Sequence, residues 1–297
     1  MGVFRTPEER FINLPGFPYA PKYVDAYGTR VHYVDEGEGQ PVLFLHGEPT
    51  WSYLYRKMIP RLACRHRVLA MDFIGFGRSD KFTGRDEYSL QMHCDTLKAF
   101  VSSLSLEQIT VVVHDWGSLV GLRTAAELPD LFARLVILNS WLPTGDIEPT
   151  EGFLNWRRFV ERTPDLAIGR VVRGSACGGM PDEVTAAYDA PFPSPEYKAG
   201  AQVWPLLVPL RPDDPGAAEM RRTREALSRW NKPAYVLFSD RDPIVTGWDT
   251  YFRGLIPKAA LEPATVIRNA GHFLQEDKGG EVAGHILAFL ERRPMNC

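Results

Sequence analysis

Cysteine is scarce in this chain. Only Cys64, Cys94, Cys177 and Cys297 occur in 297 residues, and no two lie closer than thirty positions. A zinc or redox pair of the Cys-x-x-Cys kind is therefore excluded, and a reducing compartment such as the cytoplasm is the simplest expectation. Long apolar runs are also missing: none approaches the roughly 20 residues of a membrane-spanning helix, so no membrane partner is expected. The amino-terminal stretch lacks the apolar core of an export signal, because Arg5, Glu8, Glu9 and Arg10 interrupt it. Neither sign of charge prevails, with 34 Lys and Arg against 37 Asp and Glu and a net charge of −3. That balance does not attract a polyanion, so nucleic acid is not expected as a partner and a small uncharged molecule fits better. The seven histidines show no metal-ligand pairing, and G-F-G-R-S-D (Gly75 to Asp80) lacks the spacing of a dinucleotide loop. No metal and no cofactor is expected.

What the chain does have is an alternation of short β-rich runs with helical stretches. The runs are Val31–Asp35, Pro41–His46, His66–Asp72, Ile109–His114, Leu135–Asn139 and Ala234–Ser239, with Leu261–Ile267 a weaker one. Such an alternation predicts an α/β fold with a largely parallel sheet covered by helices. Between Trp141 and Met220 the rhythm stops and Pro, Trp and Phe accumulate. This segment reads as an inserted cap over residues 141–220, with the sheet domain formed by 1–140 and 221–297. A cleft is then expected between the two, at the carboxyl ends of the strands.

Three spots carry chemistry. In V-V-V-H-D-W-G-S a buried strand runs into Asp115, with Gly117 two residues on, which is the layout of a nucleophile elbow. Taken alone, Asp115 could equally be capping the next helix. N-A-G-H-F-L-Q-E places His272 on a Gly-led turn before a final helix, and F-S-D-R-D-P-I-V ends a strand at Asp242, with Asp240 its rival. Each could be loop decoration. Together, in the order nucleophile, acid, histidine, they match the chain order of hydrolases built on such a sheet. The loop after the Pro41–His46 run and the residue after the nucleophile would then supply oxyanion donors, the backbone amides of Glu48 and Trp116.

An aspartate in the nucleophile position narrows the substrate. A serine attacking an sp³ carbon would leave an ether that activated water does not cleave, whereas a carboxylate leaves an ester whose carbonyl can be attacked in a second step. The electrophile is thus an alkyl halide or an epoxide. A departing halide needs weak N–H donors in an apolar pocket; an opening epoxide needs an acidic proton. Trp116 follows the nucleophile, and Trp156 lies on a helical stretch with Phe153 one turn before it. Without its context, Trp156 would more often be cap packing than a ligand.

The sequence resembles a haloalkane dehalogenase of the α/β-hydrolase superfamily, in the branch with two halide-binding tryptophans. H-G-E-P-T-W-S-Y-L-Y-R-K-M, D-F-I-G-F-G-R-S-D-K, H-D-W-G-S, Y-D-A-P-F-P and A-G-H-F-L-Q-E carry the resemblance, which spans the chain. It implies an eight-stranded, mostly parallel sheet and hydrolysis of a haloalkane to a primary alcohol, a halide ion and a proton. Asp115 would be the nucleophile, His272 the base, Asp242 the acid, Glu48 and Trp116 the oxyanion amides, and Trp116 and Trp156 the halide ligands. Phe153 and Trp204 would line the pocket. The related branch has Asn where this chain has Glu48. One departure is His114, where the resembling branch usually has Gln; it is expected to affect the pocket. H-D-W-G is also the elbow spelling of α/β epoxide hydrolases, whose requirement for two cap tyrosines could be met here only by Tyr188 and Tyr197. Epoxide hydrolysis is therefore the alternative, and a non-catalytic binding relative is the reading from another class.

Overall fold

The computed structural model describes residues 2–295; Met1, Asn296 and Cys297 lie outside them. The strands are β1 (Val3–Phe4), β2 (Lys22–Ala26), β3 (Thr29–Glu36), β4 (Pro41–Leu45), β5 (Arg67–Met71), β6 (Lys81–Phe82), β7 (Ile109–His114), β8 (Phe132–Leu138), β9 (Ala234–Ser239) and β10 (Thr265–Ile267). Eight of them form one sheet in the order β10-β9-β8-β7-β4-β5-β3-β2. From β10 through β5 neighbours run parallel, while β3 and β2 are antiparallel. β4, β5, β7, β8 and β9 are the continuous apolar runs, and almost every residue in them is buried, as strands covered on both faces require. β1 and β6 make a separate two-stranded ribbon.

The helices are α1 (Ile59–Leu62), α2 (Leu90–Ser103), α3 (Trp116–Glu127), α4 (Glu151–Arg162), α5 (Ile168–Gly174), α6 (Asp182–Asp189), α7 (Ala199–Leu207), α8 (Ala217–Ser228), α9 (Trp248–Leu255) and α10 (Leu274–Arg292). Ser89 caps α2 by accepting the Met92 N–H, and Thr150 caps α4 by accepting that of Phe153. Between β8 and β9 the chain adds only helices. The last of these, α8, lies against α3 and contains residue 220.

The sheet departs from expectation at its edges. β2, K-Y-V-D-A, is an edge strand of mixed polarity without the apolar run that marks the buried strands. At the other edge the run Leu261–Ile267 shortens to β10, because Ala259–Leu261 winds into a 3₁₀ turn that leaves Leu261 exposed. In the middle, register aligns the carboxyl ends: Leu45 is opposite Val113, His114 opposite Leu138, and Leu138 opposite Leu237. The loops that follow β4, β7, β8, β9 and β10 therefore open onto one edge of the sheet.

Candidate active site

Asp115 sits on the sharp turn between β7 and α3 with φ 50° and ψ −121°. A non-glycine residue in that region costs about 1–3 kcal/mol and persists only where its surroundings enforce it. The enforcement is steric. A Cβ on Gly117 would come within 2.1 Å of the Leu45 carbonyl, so α3 can start this close to β4 only with glycine there.

The two carboxylate oxygens of Asp115 face different partners. Oδ1 accepts the Glu48 N–H at 2.8 Å. Oδ2 lies 3.6 Å from His272 Nε2, a charge contact too long for a hydrogen bond. On the other side of the ring, Nδ1 of His272 is 2.7 Å from Asp242 Oδ2, and Asp242 Oδ1 accepts the Ile244 N–H at 2.8 Å. Asp240, the rival acid, points elsewhere and accepts the Ala270 N–H.

The charges follow from this arrangement. Burial alone would raise the Asp115 pKa, but the contact with His272, the charge of His272 and the Trp116 backbone N–H together hold it below the usual carboxylate value. Burial likewise opposes the charged form of His272, yet the charge of Asp242 and the contacts to Asp115 and Asp242 push its pKa up to about 10. The resting pair is thus carboxylate and imidazolium. Glu48 behaves differently. Neither of its buried carboxyl oxygens has a hydrogen-bond partner among the described residues. Burial first, and the charge of Asp115 second, raise its pKa well above the ordinary value. The charge of His272 and, less strongly, the Trp156 indole pull the other way.

Glu48, Asp115, Trp116, Phe153, Trp156 and His272 line one cavity between the sheet edge and the helices that follow β8. Trp141 and Ile244, from the loops after β8 and β9, join them, as do Val171 and Ser175 at the end of α5. Trp141 was not expected in the pocket, although its place just past the end of β8 could have signalled it; nothing in the sequence marks Val171 or Ser175.

A match to the family model described as alpha/beta hydrolase fold covers residues 40–175. The haloalkane dehalogenase of Psychrobacter cryohalolentis is 45% identical over 99% of this chain and its own full length. That of Mycobacterium marinum is 48% identical over 97% of this chain and 100% of its own. The chain belongs to the haloalkane dehalogenase family. Among solved structures, the haloalkane dehalogenase of Paraglaciecola agarilytica NO2 superposes with a TM-score of 0.91, at 36% identity and 97% coverage of this chain and 98% of that one.

Two expected pocket residues of this dehalogenase lie elsewhere. Trp204 is fully buried behind the cavity, stacked on Trp116 at 4.6 Å, and its indole N–H donates to His93 Nε2 at 2.6 Å. It backs the wall and does not form it. His114 lies beside His272, with ring centroids 4.9 Å apart. Its Nε2–H donates to the His272 carbonyl at 2.9 Å, which leaves Nδ1 as the bare nitrogen. Burial, reinforced by the neighbouring charge of His272, lowers the His114 pKa to about 4, so the ring is neutral. His46 braces the loop before Glu48, with Nε2 accepting the Phe73 N–H and Nδ1–H donating to the Gly47 carbonyl.

Proposed function

We propose that this chain hydrolyses haloalkanes to a primary alcohol, a halide ion and a proton through an ester of Asp115. The observation that carries this reading is the division of labour between the Asp115 oxygens. Oδ1 is bonded to the Glu48 N–H at 2.8 Å, which leaves Oδ2 free to attack. Oδ2 displaces halide from the substrate carbon, and the C–O bond forms as the carbon–halogen bond breaks. Oδ1 becomes the ester carbonyl oxygen, already bonded to the Glu48 backbone amide, with the Trp116 amide as the second donor where negative charge develops when water adds. The indole N–H groups of Trp116 and Trp156 receive the halide in a cavity otherwise walled by Phe153, Trp141 and Ile244.

The first step prepares the second. An ester carries no charge, so alkylation removes one of the two carboxylates that hold the His272 pKa at about 10. His272 loses its proton to solvent and becomes a base, still oriented by Asp242 at 2.7 Å. It then takes a proton from the water that attacks the Asp115 carbonyl carbon. Collapse of the adduct releases the alcohol and restores the carboxylate.

Epoxide opening is not favoured. The Tyr188 hydroxyl donates to the Glu276 carboxylate, Tyr197 stacks on Phe4 at 4.8 Å, and neither lines the cavity. A role in binding alone is disfavoured by the intact set of nucleophile, base and acid. No helix among the described residues is long and apolar enough to cross a membrane. The free thiols of Cys64, Cys94 and Cys177 fit work in a reducing compartment such as the cytoplasm.

The test is bromide release from 1-bromobutane, run beside styrene oxide, with Asp115→Ala as control. Bromide release that the substitution abolishes is the expected result; diol formed without bromide would return the site to epoxide chemistry.

A further inference from the structure

The turn that carries His272 is fastened from the cap side as well as from the sheet. Asp277, in the first turn of α10, accepts three backbone N–H groups. Oδ2 takes those of Cys177 at 3.0 Å and Gly271 at 2.8 Å, and Oδ1 takes that of Gly178 at 2.7 Å. Cys177 and Gly178 belong to the loop after α5, whereas Gly271 immediately precedes the base. A fourth bond crosses the same seam in the opposite sense, from the His272 N–H to the Ser175 carbonyl at 3.0 Å. The seam is tight. A Cβ on Gly271 would lie 2.3 Å from that carbonyl, so only glycine fits against the loop. Ser175 also lines the cavity. Just past Asp277 the helix breaks at Lys278 (φ −138°, ψ 28°), which sets the turn bearing the carboxylate apart from the rest of α10.

We propose that Asp277 is a positioning residue for the second half of the reaction: its carboxylate ties the Ser175–Gly178 loop to the Gly271–His272 turn, so that the base is in place only when this part of the cap is seated. The proposal rests on the ester route above. A carboxylate suits the task because it accepts several N–H groups at once, and bonds to an ionised acceptor are the stronger ones. The two half-reactions depend on the tie unequally. Attack by Asp115 needs the elbow and the Glu48 amide, which the clamp does not touch. Ester hydrolysis needs the imidazole within hydrogen-bond reach of a water at the ester carbonyl, and a displacement of about 1 Å in such a geometry costs on the order of a hundredfold in rate.

The experiment compares wild type, Asp277→Ala, Asp277→Asn and His272→Phe in single turnovers with 1-bromobutane. Quenched samples are read for bromide and, by intact-mass spectrometry, for the butyl ester. In Asp277→Ala the ratio of ester hydrolysis to ester formation is expected to fall about ten- to a hundredfold, so that ester accumulates. Asp277→Asn, which keeps one acceptor oxygen, falls between alanine and wild type, and decides the matter if alanine does not fold. A merely structural role would lower the melting temperature and scale both steps alike. A wild-type ratio in the folded variants therefore overturns the proposal. If His272→Phe itself accumulates no ester, it is the ester route that fails, and the clamp's assigned task falls with it.

Discussion

His272 stops 3.6 Å short of Asp115 while it sits 2.7 Å from Asp242. The first contact is ionic and the second a hydrogen bond, so on the proposed ester route alkylation of Asp115 would remove a charge from beside the imidazole without removing the bond that orients it. Replacing the base should therefore divide the reaction cleanly. In His272→Phe the carboxylate still attacks, about one equivalent of halide per enzyme is released, and the ester persists. A mass increase equal to the alkyl group, with turnover lost, is the expected outcome. A folded variant that continues to turn over would remove His272 from the role of base.

The two indoles of the cavity and the one behind it should respond differently to loss of their N–H. Trp116→Phe and Trp156→Phe each remove the indole N–H of a residue that lines the cavity. Halide affinity, measured by fluorescence quenching on titration with bromide, is expected to weaken by roughly 1.5–3 kcal/mol in each, the range for a hydrogen bond to a charged group. Trp204→Phe removes a donor that serves His93 and leaves that buried nitrogen unpaired. Its cost of about 1–3 kcal/mol should appear in unfolding free energy, with a smaller change in halide affinity. A Trp204 variant that lost halide binding at full stability would contradict this arrangement.

Trp204 also marks where sequence reading ends. Asp115, His272 and Asp242 were legible because each stands just past a strand, in an order set by the topology, and a strand can be read from a run such as V-V-V or Y-V-L-F. The direction of an aromatic side chain on a helix has no such signature. Trp156 and Trp204 look alike in sequence, yet one faces the cavity and the other hydrogen-bonds a histidine behind it. His114 was noticeable as a departure, but its bond to the His272 carbonyl depends on the end of β7 meeting a turn 158 positions away. Polar edge strands fail for a related reason: K-Y-V-D-A pairs with β3 through backbone hydrogen bonds that any sequence can make.

Stability should decline on the alkaline side for two separable reasons. His272 has its folded pKa raised to about 10 from an ordinary value of 6.5. Its contribution is therefore complete below the unfolded value and is lost as pH rises from about 6.5 through about 10. The melting-temperature advantage of wild type over His272→Gln should shrink across that window. Glu48 also has a raised pKa, so the unfolded chain ionises it first and stability falls as pH climbs above the ordinary value of 4.5. Glu48→Gln, which has nothing to ionise, should gain melting temperature over wild type progressively from that pH upward. A constant difference across the range would mean that Glu48 is ionised in the fold.

A polar knot joins α6 and the loop after β4 to α10. Arg56 forms two bonds to the Glu276 carboxylate, one of them 2.8 Å, Lys57 lies 3.0 Å from it, and Tyr188 of α6 donates its hydroxyl to the same group. Both side chains of the Arg56 and Glu276 pair are only 4% exposed. Burial would raise the Glu276 pKa, but Arg56 in first place, then Lys57 and Tyr188, hold it below the ordinary value. Losing one partner of such a pair strands a buried charge and costs about 3–5 kcal/mol, whereas losing a neutral donor to a charged acceptor costs roughly 1.5–3 kcal/mol. Glu276→Gln is therefore expected to destabilise more than Tyr188→Phe in urea unfolding. The sign of the pH effect follows from the depressed pKa: the contribution of Glu276 is present above about 4.5 and is lost as pH falls. Tyr188→Phe should lose its difference from wild type only at low pH, where the carboxyl becomes protonated. Equal unfolding free energies for wild type and Glu276→Gln at neutral pH would show that the knot sets geometry without adding stability.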